Sequence, residues 1–209
     1  DEIATSNVAV TNIDKVDPTV PTEIAVTRAI NSLTVKASGS SDTLSGLAGY
    51  QYSKDGTTWT STIASGTTHT FSGIKANTSV TIYARSIDNV GRTSGNKTEA
   101  TSTTTVSSNV TLTKSTSNWI NGNVTVTLAH SSVPTGYAIQ YKVGTGSWIN
   151  GTSATVETNN TTVYGRLYNS TLDDEIATSN VAVTNIDKVD PTVPTAITIT
   201  RAINSLTVK

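Results

Sequence analysis

The sequence of 209 residues contains no cysteine and no methionine, and only 14% of its residues are charged. Without cysteine there are no disulfides and no thiolate ligands, although a reduced cytosol and a cell exterior both fit this absence. The formal net charge is −1, which argues against the basic surface that nucleic-acid binding needs. No apolar run approaches the ~18 residues of a membrane-spanning helix. We therefore expect neither nucleic acid as a partner nor membrane insertion of this segment.

Residues that favour helices are scarce, whereas β-branched residues are abundant. Threonine alone occurs 42 times, and its branched side chain suits a pleated, half-buried surface. Apolar and polar residues alternate in several segments, for example at Leu33 and Val35 and again at Val124 and Val126. Such alternation is typical of strands with one buried face. The sequence therefore predicts an all-β fold and argues against disorder.

An internal repeat is the strongest signal. The segment 1–36 returns as the segment 174–209, and the two copies are identical at 33 of 36 positions. Near-identity at this distance is typical of a domain array. An older duplication lies within the period, because the motif around Trp59 returns around Trp148 and the Tyr-x-Arg motif of 83–85 returns at 164–166. We interpret one period as two related domains of about 85 residues, an ordinary size for a β-sandwich.

Three motifs carry a resemblance to known proteins. They are Gly-Tyr-Gln-Tyr (49–52) followed by Asp-Gly and Trp59, the run Ile-Tyr-Ala-Arg-Ser-Ile-Asp-Asn-Val-Gly (82–91), and the linker Val-Thr-Asn-Ile-Asp-Lys (183–188). With these motifs the chain resembles the bacterial immunoglobulin-like and fibronectin type III-like tandem repeats of Gram-positive surface or secreted proteins. The resemblance implies elongated arrays of β-sandwiches outside the cell, where such modules serve as stalks, spacers or adhesive units.

The predicted organisation has four parts. They are the last strand and linker of a preceding repeat (1–18), a fibronectin III-like sandwich (19–105), an immunoglobulin-like sandwich (106–187), and the linker and first strands of the next repeat (188–209). We expect about seven short strands in each sandwich. Two prolines in the first linker fix backbone φ angles, which predicts a stiff junction there.

Calcium binding is the most specific prediction of a site. In a sandwich of this type the entry linker, the loop between the second and third strands, and the last loop gather at one end. These segments carry Asp14 and Asp17, Asp42, and Asp88 with Asn89. Carboxylate and carbonyl oxygens are the ligands that Ca²⁺ takes, so the five residues form a predicted calcium site at the junction. The alternative is that they are ordinary turn residues that hydrogen-bond to their own backbone.

Candidate catalytic groups are few. His69 is predicted in a loop and His130 at a strand end, and neither has an acid or nucleophile beside it in sequence. The acidic run 173–175 is predicted to be a solvated loop. The sequence lacks a phosphate-binding loop and a Ser/His/Asp motif. We expect no enzyme activity, and no cofactor other than calcium.

The three tryptophans have different predicted roles. Trp59 and Trp148 recur at matching positions, which favours packing roles. Trp119 has no counterpart in the first domain and is the candidate for an exposed contact. Lys114 and Asn185 fall in phase with inward-facing residues of the first and last strands. A covalent Lys–Asn bond between those strands is a further alternative, although no acid catalyst is evident.

Together these observations predict a structural repeat unit of an extracellular bacterial stalk, adhesin or filament at the cell surface. The expected partners are neighbouring copies of the same repeat, with self-assembly into a fibre, and a host or cell-wall ligand is a further candidate. The alternative is a ligand- or glycan-binding accessory module of a secreted enzyme or a phage tail fibre. A cluster of exposed aromatic residues would favour that alternative.

Overall fold

The protein consists of β-strands and connecting turns. The structure is a computed structural model, and it describes residues 11–208. That part of the chain forms fifteen strands and no helix. The all-β fold predicted from threonine content and alternation is therefore confirmed.

Six strands between residues 23 and 102 form the first sandwich. They are β1 (Glu23–Arg28), β2 (Ser32–Ser38), β3 (Leu47–Ser53), β4 (His69–Ser72), β5 (Ser79–Asp88) and β6 (Lys97–Ser102). One antiparallel sheet has the order β1-β2-β4 and the other has the order β3-β5-β6. About seven strands were predicted and six are present; two further pairings, Tyr50 with Ile63 and Ile87 with Thr93, are isolated bridges.

Alternation places one face of each sheet in a shared core. Leu33 and Val35 of β2 lie opposite Tyr52 of β3 and Ile82 of β5 in one buried cluster. Removing a large apolar side chain from water contributes roughly 1.5–3 kcal/mol, so these residues hold the two sheets together. The backbone N–H of Ala37 donates to the hydroxyl oxygen of Tyr52 over 2.8 Å, which gives the buried phenol a polar partner.

Seven strands between residues 111 and 183 form the second sandwich. They are β7 (Thr111–Lys114), β8 (Val124–Ala129), β9 (Ala138–Val143), β10 (Ile149–Asn150), β11 (Ser153–Val156), β12 (Thr161–Asn169) and β13 (Asp174–Val183). Their sheets have the orders β11-β8-β7 and β10-β9-β12-β13. The inward residues predicted for β8 are buried, because Val124 and Val126 are fully inaccessible and Leu128 is nearly so.

Gly165 in β12 marks a close approach between the two sheets of the second sandwich. A methyl group added to its Cα would lie 2.7 Å from Leu128 Cδ2, 3.1 Å from Leu112 Cδ1 and 3.2 Å from Val110 Cγ1. These three side chains come from β8, β7 and the segment just before β7, so they occupy the space that a larger residue at 165 would need. The equivalent position in the first sandwich is Ala84, which is fully buried.

Contacts between Cα atoms divide the chain into two compact units. The first comprises the described residues up to Asn109 together with Ser132–Ala138 and Leu167–Ala177. The second comprises Val110–Ser131, Ile139–Arg166 and the described residues from Thr178 onward. The domain boundaries predicted from the sequence, at 18/19, 105/106 and 187/188, stay predictions; most of the segment 1–18 lies outside the described residues.

The second copy of the repeated segment forms a hairpin of β14 (Ile199–Ala202) and β15 (Ser205–Val208). Ile199 pairs with Val208, and at the matching positions of the first copy Val26 pairs with Val35. The two hairpins therefore have the same register. Their environments differ, because Val208 is 60% exposed whereas its counterpart Val35 is fully buried.

Candidate functional site

Three carboxylates from different segments meet beside the first sandwich. Asp14 lies in the segment before β1, Asp42 lies between β2 and β3, and Asp88 is the last residue of β5. One carboxylate oxygen from each lies within 4.8 Å of the others. They lie close together because β2 ends, β3 begins and β5 ends at the same end of the sandwich.

Asp88 is the buried member of this group, with 2% of its surface exposed. Its Oδ1 accepts hydrogen bonds from the N–H groups of Val90 over 2.9 Å and of Arg92 over 2.8 Å. Its Oδ2 is also buried and has no hydrogen-bond partner among the described residues. One half of the carboxylate thus closes the turn after β5, and the other half is left without a donor.

Asp42, like Asp88, has one carboxylate oxygen that accepts hydrogen bonds and one that does not. Its Oδ2 accepts from the N–H groups of Leu44 over 3.1 Å and of Gly46 over 2.7 Å. Its Oδ1 is buried and, within residues 11–208, has no hydrogen-bond partner. The expectation that this aspartate serves its own turn is therefore met by one oxygen only.

Asp14 connects the linker to the loop between β2 and β3. Its Oδ1 accepts from the N–H of Val16 over 2.8 Å, and its Oδ2 accepts from the N–H of Ser45 over 2.9 Å. Hydrogen bonding from Ser45 and then from Val16 lowers the pKa of Asp14 below its ordinary value. The group is consequently ionised at neutral pH.

The other two predicted ligands lie outside this carboxylate group. Asp17 forms a salt bridge with Arg92, with 2.6 Å between Oδ1 and Nη2. Asn89 turns its amide toward the loop between β2 and β3 and donates to the carbonyl oxygens of Ser45 and Gly46. The structure thus brings together three of the five residues in the predicted calcium site, and the metal itself stays a prediction.

Trp119 lies on the surface of the second unit, with 67% of its side chain exposed. It lines a shallow groove with polar residues that include Glu157, Asn159, Asp187 and Lys188. An exposed indole beside amide and carboxylate groups offers both a stacking face and hydrogen-bonding partners. Trp119 is the only exposed tryptophan, and no second exposed aromatic ring joins it among the large apolar side chains of the described residues.

Trp148 contacts Arg166, which in turn bonds to Gln140, on the outer face of the second sandwich. We call this three-residue contact the Trp–Arg–Gln brace. The guanidinium of Arg166 lies 3.9 Å from the centroid of the indole ring. The same guanidinium donates to Oε1 of Gln140 through Nε over 2.9 Å and through Nη2 over 2.8 Å. Lys142 contributes a second cation, with Nζ 5.1 Å from the ring centroid.

The first sandwich carries the same brace. Arg85 lies 4.2 Å from the ring centroid of Trp59 and donates through Nε to Oε1 of Gln51 over 2.9 Å. The Trp repeat and the Tyr-x-Arg repeat, which the sequence shows as separate motifs, form one unit in the structure. Gln51 precedes Trp59 by the same interval as Gln140 precedes Trp148, and this shared spacing was the available signal.

The histidine and acidic run are placed differently from their predictions. His69 is the first residue of β4 and not a loop residue; its ring stacks on Tyr52, with 6.0 Å between centroids, and meets the edge of Phe71. Asp174 is the first residue of β13 and is buried, not solvated. It accepts a hydrogen bond from the Tyr137 hydroxyl. Burial, followed by the hydrogen bond to Asp174, raises the pKa of Tyr137.

Asn185 is buried and holds a loop of the second unit. Its side-chain amide donates to the carbonyl oxygens of Thr116 over 3.3 Å and of Asn118 over 2.7 Å. These hydrogen bonds explain why an amide is placed in phase with the inward residues of β13. The covalent bond to Lys114 considered from the sequence stays untested.

No protein-family model matches the sequence, and no curated protein matches it significantly. The chain is similar in structure to the chitinase ChiA74 from Bacillus thuringiensis (18% identity, TM-score 0.38, 85% of this chain and 29% of the chitinase chain). It is also similar to a two-domain fibronectin type III segment of chicken tenascin (15% identity, TM-score 0.38, 78% of this chain and 97% of that one). A third similar structure is the central fibronectin III array of RIM-binding protein (13% identity, TM-score 0.35, 95% and 82% of the two chains).

Both halves of the chain are all-β sandwiches, with the sheet orders β1-β2-β4 and β3-β5-β6 in the first and β11-β8-β7 and β10-β9-β12-β13 in the second. The chain spans 29% of the length of the chitinase. Within residues 11–208 no helix is long and apolar enough to cross a membrane.

Proposed function

We propose that this chain is a structural repeat unit of a long extracellular bacterial stalk, adhesin or filament, and that it is not an enzyme. The observation that supports this proposal best is the repeated hairpin. The segments 26–35 and 199–208 pair in the same register, so the long repeat in sequence is also a repeat in local structure. In repeat proteins of this kind, each added copy of the unit makes the array longer.

The internal braces support the same proposal. Each sandwich carries its own core and its own Trp–Arg–Gln brace, so each is stabilised by contacts that recur within it. In repeat proteins the total stability is roughly a sum over units and their neighbours. Such an array lengthens without losing the stability of any single unit.

Neighbouring copies of the repeat are the proposed partners. The exposed apolar face of β14 and β15, which includes Ile199 and Val208, corresponds to residues that are at least partly buried in the first sandwich. A following copy of the segment from residue 37 onward would supply the strands that cover this face. We place the array at the cell surface or outside the cell, where a long chain of small β-sandwiches projects or assembles.

Small-angle X-ray scattering on chains of one, two and four periods tests the proposal. If each sandwich extends ~35–45 Å, the maximum dimension grows by roughly 70–90 Å for each added period. A maximum dimension that grows only with the cube root of the mass would show collapsed arrays and would contradict a stalk or filament. A one-period chain at several concentrations serves as the control for self-association.

A second candidate function is recognition of a ligand or glycan by an accessory module of a secreted enzyme or phage tail fibre. The observation that favours it is the groove beside Trp119, with Glu157 and Asn159 as hydrogen-bonding partners. Retention of the chain on insoluble polysaccharides and on a glycan array tests it. Binding that disappears in Trp119→Ala and persists in Trp59→Phe would support this function over the purely structural one.

A further inference from the structure

Two carboxylate oxygens near the start of the first sandwich lack partners. They are Asp42 Oδ1 and Asp88 Oδ2; both are buried, and within the described residues neither accepts a hydrogen bond. Each residue uses its other oxygen to close a turn, through backbone N–H donors at 2.7–3.1 Å. The turns therefore account for one oxygen of each carboxylate and leave the second unexplained. A buried acceptor without a donor is costly, so the pair points to a missing ligand.

We propose that Asp14, Asp42 and Asp88 bind one Ca²⁺ ion, which fastens the linker before β1 to the first sandwich. Oxygens of these three residues lie within 4.8 Å of one another, a spacing at which a single ion contacts all of them. A water molecule would supply donors to the two unpaired oxygens but would leave three like charges together. A divalent cation satisfies the oxygens and offsets the repulsion in one step.

The chemistry of the group selects Ca²⁺ among common cations. All three protein ligands are carboxylate oxygens, which suit hard cations and not the nitrogen- and sulfur-preferring transition metals. Ca²⁺ accepts six to eight oxygens in irregular geometry, whereas Mg²⁺ requires a nearly ideal octahedron and sheds its water reluctantly. Ligands from three separate loops, each already tied to its own turn, fit the more permissive ion.

Several polar contacts already hold the linker before β1 against the first sandwich, and the ion would add to this attachment. Ser45 donates to Asp14 over 2.9 Å, and Thr19 donates its N–H to the carbonyl oxygen of Ser41 over 2.9 Å. Asp17 is held by Arg92 and thus serves as a second attachment rather than as a ligand. Polar contacts thus already attach the segment from Asp14 to Thr19 to the first sandwich. The ion would add a contact that joins the linker, the loop between β2 and β3, and the end of β5.

The repeat supplies an internal control for this site. Asp187 is the copy of Asp14, and its Oδ1 accepts from the N–H of Val189 over 3.0 Å, just as Asp14 accepts from Val16 over 2.8 Å. Among the described residues, no group of three carboxylates forms around Asp187. The chain therefore contains the same linker aspartate twice, once with its two partner carboxylates and once without them.

Isothermal titration calorimetry on the whole chain, stripped of metal with EDTA, tests the stoichiometry and the ligands. We expect one Ca²⁺ per chain. Asp88→Asn and Asp42→Asn should each weaken binding at least ten-fold, because the amide keeps the turn-closing oxygen and removes the charge. Asp187→Asn should bind as the parent chain does. Asp14→Asn, which lies on the linker and outside the core, gives the same reading if a core variant fails to fold.

Three calorimetric results would overturn the proposal. One is the absence of binding up to ~10 mM Ca²⁺, which lies beyond the weak range of extracellular calcium modules. Another is an equal loss of affinity in Asp187→Asn and Asp14→Asn. The third is Mg²⁺ binding as tight as that of Ca²⁺, which would overturn the identity of the ion.

Limited trypsin digestion tests the fastening of the linker. Lys15 and Lys188 lie in the identical sequence Asn-Ile-Asp-Lys-Val-Asp-Pro, and both are exposed. We expect Ca²⁺ to slow cleavage after Lys15 several-fold and to leave cleavage after Lys188 unchanged, and we expect Asp88→Asn to remove this difference. Equal protection at both sites, or none, would contradict a role in holding this linker. The proposal stands apart from the structural function, because the scattering test of array length gives its result with or without calcium.

Discussion

Arg166 lies over the ring of Trp148 at 3.9 Å from its centroid, and at the matching place in the first sandwich Arg85 lies over Trp59 at 4.2 Å. In both sandwiches the arginine also donates to a glutamine on the neighbouring strand. This hydrogen bond fixes the position of the guanidinium beside the indole ring. The same three-residue contact thus occurs on the outer face of both sandwiches.

Replacing Arg166 with alanine should destabilise the second sandwich by about 2 kcal/mol. The variant loses charge-assisted hydrogen bonds to Gln140 and a cation–π contact worth roughly 0.5–1 kcal/mol at an exposed site. Urea unfolding followed by Trp148 fluorescence, in a chain with Trp59→Phe and Trp119→Phe, measures the change. Arg201→Ala is the matched control, because Arg201 is exposed in β14 and its removal should leave the unfolding midpoint unchanged. An equal loss in both variants would contradict the brace.

Gly165→Ala should destabilise the second sandwich by roughly 1–3 kcal/mol, the usual cost of overpacking a core. The added methyl group would lie 2.7 Å from Leu128 Cδ2, so β12 or the leucine has to shift. Gly122→Ala is the control, since a methyl group there meets only Ile120 at 3.6 Å or more. Thermal unfolding of the two variants distinguishes them. If Gly122→Ala lowers the melting temperature as much as Gly165→Ala, sheet-to-sheet contact is not the reason.

Much of the core was predictable from sequence because alternation is a local property. Val124 and Val126 were assigned to one inward face, and both are fully buried. His69 was misassigned to a loop because β4 has only four residues, too few for alternation to be read. Its strand exists because β2 offers a pairing edge, with Val35 opposite His69. That partner lies far from His69 along the chain, beyond the reach of any local pattern.

The site was predictable only in outline. Loops that gather at one end of a sandwich were expected to bring acidic residues together, and Asp14, Asp42 and Asp88 do meet. The sequence could not separate Asp14 from Asp17, which lie close together in the same linker. The choice depends on Arg92, which takes Asp17 as its partner. Arg92, which lies far from the linker along the chain, therefore determines that Asp17 stays outside the carboxylate group and Asp14 belongs to it.

The stability of the first sandwich should decrease as the pH falls from 7 to about 5.5, because of His69. Burial against Tyr52 and Phe71 lowers the pKa of His69 below its ordinary value. Below the unfolded-state pKa of about 6.5 the unfolded chain binds a proton that the folded chain resists, so stability present at pH 7 is lost on acidification. Urea unfolding at several pH values measures this slope.

His69→Phe should flatten that pH dependence, since phenylalanine keeps an aromatic ring in the stack and does not titrate. Phe71→Leu is the control, because it alters the packing around His69 without removing the titrating group. It should lower the free energy of unfolding while a pH dependence remains. The same slope in His69→Phe as in the parent chain would assign the pH dependence to other groups.

Extending the chain past Lys209 with a further copy of residues 37–105 should convert the β14–β15 hairpin into the edge of a folded sandwich. Ile199 and Val208 are 54% and 60% exposed in this chain, and a two-stranded hairpin is only marginally stable in water. Covering its apolar face would slow amide hydrogen exchange in residues 199–208 to the rate of residues 26–35, which have the same pairing register. Exchange followed by mass spectrometry compares the two segments within one molecule. An appended segment of the same composition in scrambled order should leave the hairpin exchanging fast. If the true copy does no better than the scrambled one, the repeated hairpin is not the start of a further sandwich, and copy number would not extend the array.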